Sequence, residues 1–116
     1  MTREEIIGLM RDEFGAEAEY LWARYPDYCV FRHGHNRKWF AVLMRAAADK
    51  LGLEGAARDI LDVKCDPQLV GSLIKKSGCL PAYHMNKTSW ITLLPDKLSS
   101  AELMELVSIS FELTRR

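Results

Sequence analysis

The sequence has no surplus of either charge: 16 lysines and arginines meet 16 aspartates and glutamates across 116 residues. A nucleic-acid binder usually carries a basic excess, so any phosphate contact here must come from a local patch. No hydrophobic run approaches the roughly 20 residues that span a bilayer. Met1 leads straight into a charged segment, with no apolar signal region, and the expectation is a cytoplasmic protein without membrane contact. Cysteine is scarce. Cys29, Cys65 and Cys79 are odd in number and lack C-x-x-C spacing, which excludes a zinc ribbon or disulfide framework and predicts three small buried hydrophobes. The seven glycines are dispersed, and neither phosphate-loop pattern, G-x-x-x-x-G-K-[ST] or G-x-G-x-x-G, occurs. There is no G-x-S-x-G elbow and no local Cys–His motif. His33 and His35 form H-x-H, but no third ligand stands at a motif spacing, and both read as solvated residues flanking a turn. The expectation is therefore no metal, no cofactor, no catalytic residue and no enzyme.

What is present is a globular composition. The chain is 48% hydrophobic and 28% charged with no low-complexity tract, which fits one domain over residues 1–116. Thr2 and Glu5 have capping-box spacing, Ile6, Leu9, Met10 and Phe14 recur at helical spacing, and Gly15 is placed to stop that helix. Residues 17–24 read as a connector closed by Pro26. Residues 27–33 and 38–44 read as strands around a Gly34-His35-Asn36 turn. In the second of these, Phe40, Val42 and Met44 alternate with Trp39, Ala41 and Leu43, so both parities are apolar and a central strand is predicted. Residues 45–58 read as a long loop.

Residues 60–65 alternate Leu61, Val63 and Cys65 against Ile60, Asp62 and Lys64, which predicts one buried and one wetted face. Asp66-Pro67 starts a helix with Leu69, Val70, Leu73 and Ile74 inward, and Gly78 ends it. Tyr83 to Met85 and Trp90 to Leu94 read as short strands around an Asn86-Lys87-Thr88-Ser89 turn. Ser99 and Glu102 cap a last helix, whose inner stripe is Leu103, Leu106, Val107, Ser110 and Leu113. The order αβββαββα predicts an α+β two-layer sandwich, an antiparallel sheet with helices on one face.

Four stretches carry a resemblance: YPDYCVFRH (25–33), NRKWFAVLM (36–44), DVKCDP (62–67) and PAYHMNKTSWI (81–91). In that order they resemble the MmcQ/YjbR-like family of small bacterial proteins, from about Tyr25 to the C-terminus. The resemblance implies an α-β(3)-α-β(2)-α arrangement like that of secretion chaperones. It also implies DNA binding, because the family's fold looks like the double-wing DNA-binding domain of a phage transcription factor. Arg32, Arg37, Lys38, Trp39, His84, Asn86, Lys87 and Trp90 match the family and are carried as candidates. Ser89 departs from it, standing where an aromatic or imidazole residue is expected.

The residues themselves point to the same hairpin. Residues 31–50 hold Arg32, Arg37, Lys38, Arg45 and Lys50 against one acid, Asp49, a local surplus of four positive charges. Such a patch can track a phosphate backbone, with Trp39 for base contact and Lys64 and Lys87 extending it over the sheet. The expected function is thus weak, sequence-tolerant DNA binding by a monomer or weak dimer. The alternative is a chaperone-like module holding a partner segment on an edge strand or on an apolar patch around Trp90 and Tyr28.

Overall fold

Residues 1–116 are described by a computed structural model. The first helix, α1 (Arg3–Phe14), begins as its cap demands: Thr2 Oγ1 accepts from Glu5 N at 3.1 Å and Glu5 Oε1 accepts from Thr2 N at 2.9 Å. It ends at Gly15, φ 64°. The chain then runs back beside β1 (Cys29–Arg32), where Glu19 and Val30 exchange two backbone hydrogen bonds. There follow β2 (Trp39–Ala46), a 3-10 turn (Ala48–Leu51), β3 (Arg58–Lys64), α2 (Val70–Leu73), β4 (Cys79–Pro81), β5 (Trp90–Leu93) and α3 (Ser100–Thr114). The sheet order is β1-β2-β3-β5-β4, with every neighbouring pair antiparallel. This is the expected α+β order, with β2 and β3 central. No helix is long and apolar enough to cross a membrane.

One face of the sheet meets the helices. Ile6 and Met10 of α1 and Leu103, Leu106 and Val107 of α3 pack there with Phe31, Phe40, Leu43, Leu61, Val63, Ile91 and Leu93. The opposite face is also covered, which alternation in β3 did not predict. Tyr28, Val30, Val42, Met44, Ile60 and Leu94 form a second core under Trp22, Trp39, Leu51, Leu53, Tyr83 and Met85 from the connecting loops. Asp62, expected to be wetted, is 0% exposed beneath them.

A β-bulge sets which β2 side chain faces which core. Phe31 pairs with Ala41, yet Arg32 pairs with Trp39, so Phe40 is the extra residue. Phe40 and Ala41 both join the helix-side core, and Trp39 turns to the loop side with Val42 and Met44; simple alternation had put Trp39 with Ala41 and Leu43. The buried Ser110 hydroxyl on α3 fills the gap, donating to Phe40 O at 2.6 Å and accepting from Lys64 N at 2.9 Å.

Other expectations shift by local causes. The fourth strand is Cys79–Pro81, not residues 83–85. Its ladder with β5 stops there because the Tyr83 N–H goes to a side chain, Thr92 Oγ1, at 2.8 Å. The helix after Asp66-Pro67 is a single turn, and Leu69 is exposed while Val70, Leu73 and Ile74 pack only at the edge of the core. Leu113 is likewise exposed. Gly78 adopts φ 89°, and a Cβ there would sit 2.7 Å from Leu98 Cδ2.

Candidate functional site

The hairpin between β1 and β2 holds the basic residues expected to meet phosphate, and its charges are already engaged. Arg32 clasps both carboxylate oxygens of Glu19, at 2.8 and 2.6 Å, and Arg37 approaches the same carboxylate at 3.5 Å. The Arg32 guanidinium holds the Glu19 carboxyl below its ordinary range. Arg45 pairs with Asp59 at 3.5 Å. The rest of the hairpin caps α3. His35 Nε2 donates to Arg115 O at 2.5 Å, Asn36 Nδ2 donates to Thr114 O at 2.9 Å, and Lys38 Nζ donates to Arg116 O. These carbonyls end the helix and have no partner within it. Positive φ falls on Arg37, at 63°, not on the turn residues Gly34 to Asn36.

His33 is not solvated. It is buried against Phe40 and Phe111, with Nε2 2.9 Å from Thr114 Oγ1. That hydroxyl donates to Ser110 O at 2.7 Å, so the imidazole is the donor. Burial holds the His33 pKa below its ordinary value.

The loop-covered face presents a different arrangement. Trp22, Tyr25, Tyr28 and Trp39 wall an open cleft of about 330 Å³, floored by Val42 and Met44 and edged by His84 and Met85. Trp22 stands edge-on to Tyr28 (5.8 Å, 74°) and to Trp39 (5.7 Å, 76°), and Tyr25 stacks on Tyr28 (4.7 Å, 20°). Tyr25 is 51% exposed, and its chain neighbours Tyr20 and Leu21 are exposed with it. Burial and then the neighbouring Tyr83 hydroxyl push Tyr28 up to about 12.

Beside the cleft, residues 82–89 form a strap over Asp62. The Tyr83 and His84 rings lie 3.9 Å apart, and His84 takes φ 65°, a conformation seldom adopted by a residue with a Cβ. Asn86 shapes the turn as expected, its Oδ1 accepting from Thr88 N at 2.8 Å and its carbonyl from Trp90 N at 2.9 Å. Lys87 Nζ donates to Ala82 O at 2.6 Å. Below the strap, Tyr83 N–H donates to Thr92 Oγ1, which donates to Asp62 Oδ1 at 2.5 Å, while Asp62 Oδ2 has no partner. Burial raises the Asp62 pKa to about 7, with the Thr92 hydrogen bond and the charge of Lys87 opposing.

Of the nine candidates, the structure brings Trp39 and His84 into one cleft. Arg32, Arg37 and Lys38 stay with the hairpin's own pairs. Lys64 is half-buried and gives its backbone N–H to Ser110. Asn86 and Lys87 hold the strap. Trp90, like Tyr28, is only 8% exposed, so the apolar patch expected around those two residues is missing at Trp90 and present at Tyr28 only as a wall of the cleft. Trp22, Tyr25 and Asp62 were missed. The aromatic density of residues 20–28, four rings in nine residues, was the available signal for the first two.

Comparison with known proteins places this architecture. The chain is similar to the Uncharacterized protein YyaQ of Bacillus subtilis (strain 168), 36% identical and covering 99% of both chains. A crystal structure of a Pseudomonas syringae protein superposes with a TM-score of 0.96 at 44% identity, covering 99% of this chain and all of that one. Deinococcus radiodurans protein DR2400 shares the fold, with a TM-score of 0.69 at 21% identity over 97% of this chain and 77% of its own. The profile described as YjbR matches residues 13–113. The chain therefore belongs to the YjbR family.

Proposed function

We propose that the protein is a non-catalytic binding domain that takes a projecting side chain of a partner segment into the aromatic cleft. The observation that carries this reading is the convergence of four aromatic rings on a cleft left open to solvent. Rigid aromatic groups at the surface concentrate binding energy, and large exposed apolar side chains beside them mark contact surfaces. Tyr25, in the cleft wall, is itself about half exposed. Strand addition is the less favoured mode for such a partner. The outer edge of β1 is partly taken by the Glu19–Val30 pair, and β4 is three residues long and ends in Pro81.

DNA binding is the second reading, supported by the stacked Tyr25 and Tyr28 rings, with the exposed His84 ring 6.5 Å from Tyr28, since bases stack on such platforms. The engaged Arg32, Arg37 and Arg45 count against it. One paired experiment separates the two. Co-purification from cells of the source organism, quantified by mass spectrometry, compares wild type with Tyr25→Ala/Trp39→Ala and with Arg37→Glu/Lys38→Glu. The partner reading expects a protein lost with the aromatic variant and kept with the charge variant. In a salt titration of labelled duplex, the DNA reading expects binding at low salt that the charge variant weakens. Partner recovery indifferent to Tyr25 and Trp39, together with duplex binding, would reverse the order.

A further inference from the structure

The cleft has aromatic walls, an apolar floor and no lysine or arginine in its lining. Its neighbour in the sheet is a carboxyl group without an ion pair. Asp62 pairs across the strands with Val42, which floors the cleft, and with Thr92. It is fully buried, Oδ2 is unpartnered, and Lys87, whose charge reaches it, commits its Nζ to Ala82 O. The Asp62 carboxylate is also felt at the Tyr28 hydroxyl in the cleft wall. Aromatic faces that line a space attract a cation through their quadrupoles. The buried, unpaired Asp62 carboxyl, once ionised, adds attraction of the same sign. Both features select positive charge.

We infer that the cleft takes the side-chain ammonium of a lysine, free or methylated, carried by the partner segment. Trp22, Tyr28 and Trp39 line the site of the cation, and Asp62, when ionised, supplies the negative field beneath it. This rests on the binding-domain reading and names the chemistry of its ligand. Lysine fits the lining because its methylene stem packs on apolar surface while the head stays charged, and Val42, Met44 and Met85 supply that surface. A segment fits better than a free small cation because Tyr25, in the cleft wall and half exposed, offers ground to flanking residues.

The test is an NMR titration of the full chain with four probes. These are Nα-acetyl-lysine N-methylamide, its Nε-trimethyl form, the norleucine analogue with the same stem but no charge, and choline. Both lysine probes are expected to shift the ring resonances of Trp22, Tyr28 and Trp39, with the norleucine analogue about two- to fivefold weaker, as expected for the loss of a solvent-exposed cation–π contact. Asp62→Asn should reduce the difference between lysine and norleucine probes; if that variant fails to fold, the comparison on wild type stands alone. Equal affinity for norleucine and lysine overturns the inference and leaves an apolar docking cleft intact. Choline binding as tightly as the lysine probes overturns the assignment to a segment. No cleft shift with any probe overturns the inference, and the partner reading is then decided by the co-purification experiment alone.

Discussion

Replacing Asp62 by Asn should remove a pH dependence of stability that runs against the usual acid denaturation. Asp62 is fully buried and its pKa is raised from 3.8 to about 7. Below pH 3.8 both folded and unfolded states hold the proton. As pH rises toward 7, the unfolded chain releases it and the folded chain keeps it, so each unit of pH lowers stability by about 1.4 kcal/mol. The accumulated loss is roughly 4 kcal/mol, complete once the folded carboxyl ionises. Other groups act with the opposite sign. His33, its pKa lowered, gives stability that is lost as pH falls through the unfolded histidine value. Glu5, Glu19 and Glu102, also lowered, act at the acid end. The wild-type curve is therefore a composite, and the difference between wild type and Asp62→Asn isolates the one group. Urea unfolding followed by tryptophan fluorescence from about pH 4 to about pH 8 reads that difference, which should change by several kcal/mol in favour of the variant as pH rises. A difference flat to within about 0.5 kcal/mol would show that Asp62 titrates in the fold as it does in water.

Three further outcomes follow from particular contacts. Ser110→Ala should cost roughly 2–4 kcal/mol in urea unfolding, because Phe40 O and Lys64 N both lose their partner, while Ser110→Thr, which keeps a hydroxyl, should cost less; a small effect of alanine would mean that β2 and β3 close the gap directly. Gly78→Ala should cost about 2 kcal/mol or more, combining positive φ with the contact on Leu98, and a neutral change in melting temperature would contradict that geometry. Asn36→Ala should cost about 1 kcal/mol and speed amide exchange in the last turn of α3, since the Thr114 carbonyl loses its donor.

The parts of the fold legible in the sequence are those fixed by neighbours a few residues apart. Thr2 with Glu5 and Ser99 with Glu102 form both helix caps as their spacing demands, and Asn86 makes its turn through its own side chain. What was not legible depends on partners far along the chain. Three of the five cations in residues 31–50, Arg32, Arg37 and Arg45, are met by Glu19 and Asp59, outside any local window. Asp62 alternates like a wetted residue, but the cover above it comes from loops on both sides in the chain, from Leu53 nine residues away to Trp22 forty away. The Phe40 bulge breaks the two-residue period that alternation assumes, and the hydroxyl that stabilises it lies on α3, seventy residues on. The cleft is assembled from residues 22–28, 39–44 and 84–85, so no single stretch announces it.

The strap over Asp62 makes one amide a reporter of the buried charge. Tyr83 N–H donates to Thr92 Oγ1, and the same hydroxyl donates to Asp62 Oδ1, so the Tyr83 hydrogen exchanges only when the strap lifts. Lifting it admits water to a carboxylate that is costly to ionise while covered. Opening is therefore easier once Asp62 is charged than while it is neutral. Exchange at Tyr83 should accelerate with pH more steeply than hydroxide catalysis alone, until Asp62 is ionised in the closed state too. Amides in the centre of β3, paired on both sides by β2 and β5, should follow global unfolding instead. The loop layer and the hydrogen-bonded sheet beneath it would then open as separate units, with the Asp62 proton setting the interval between them.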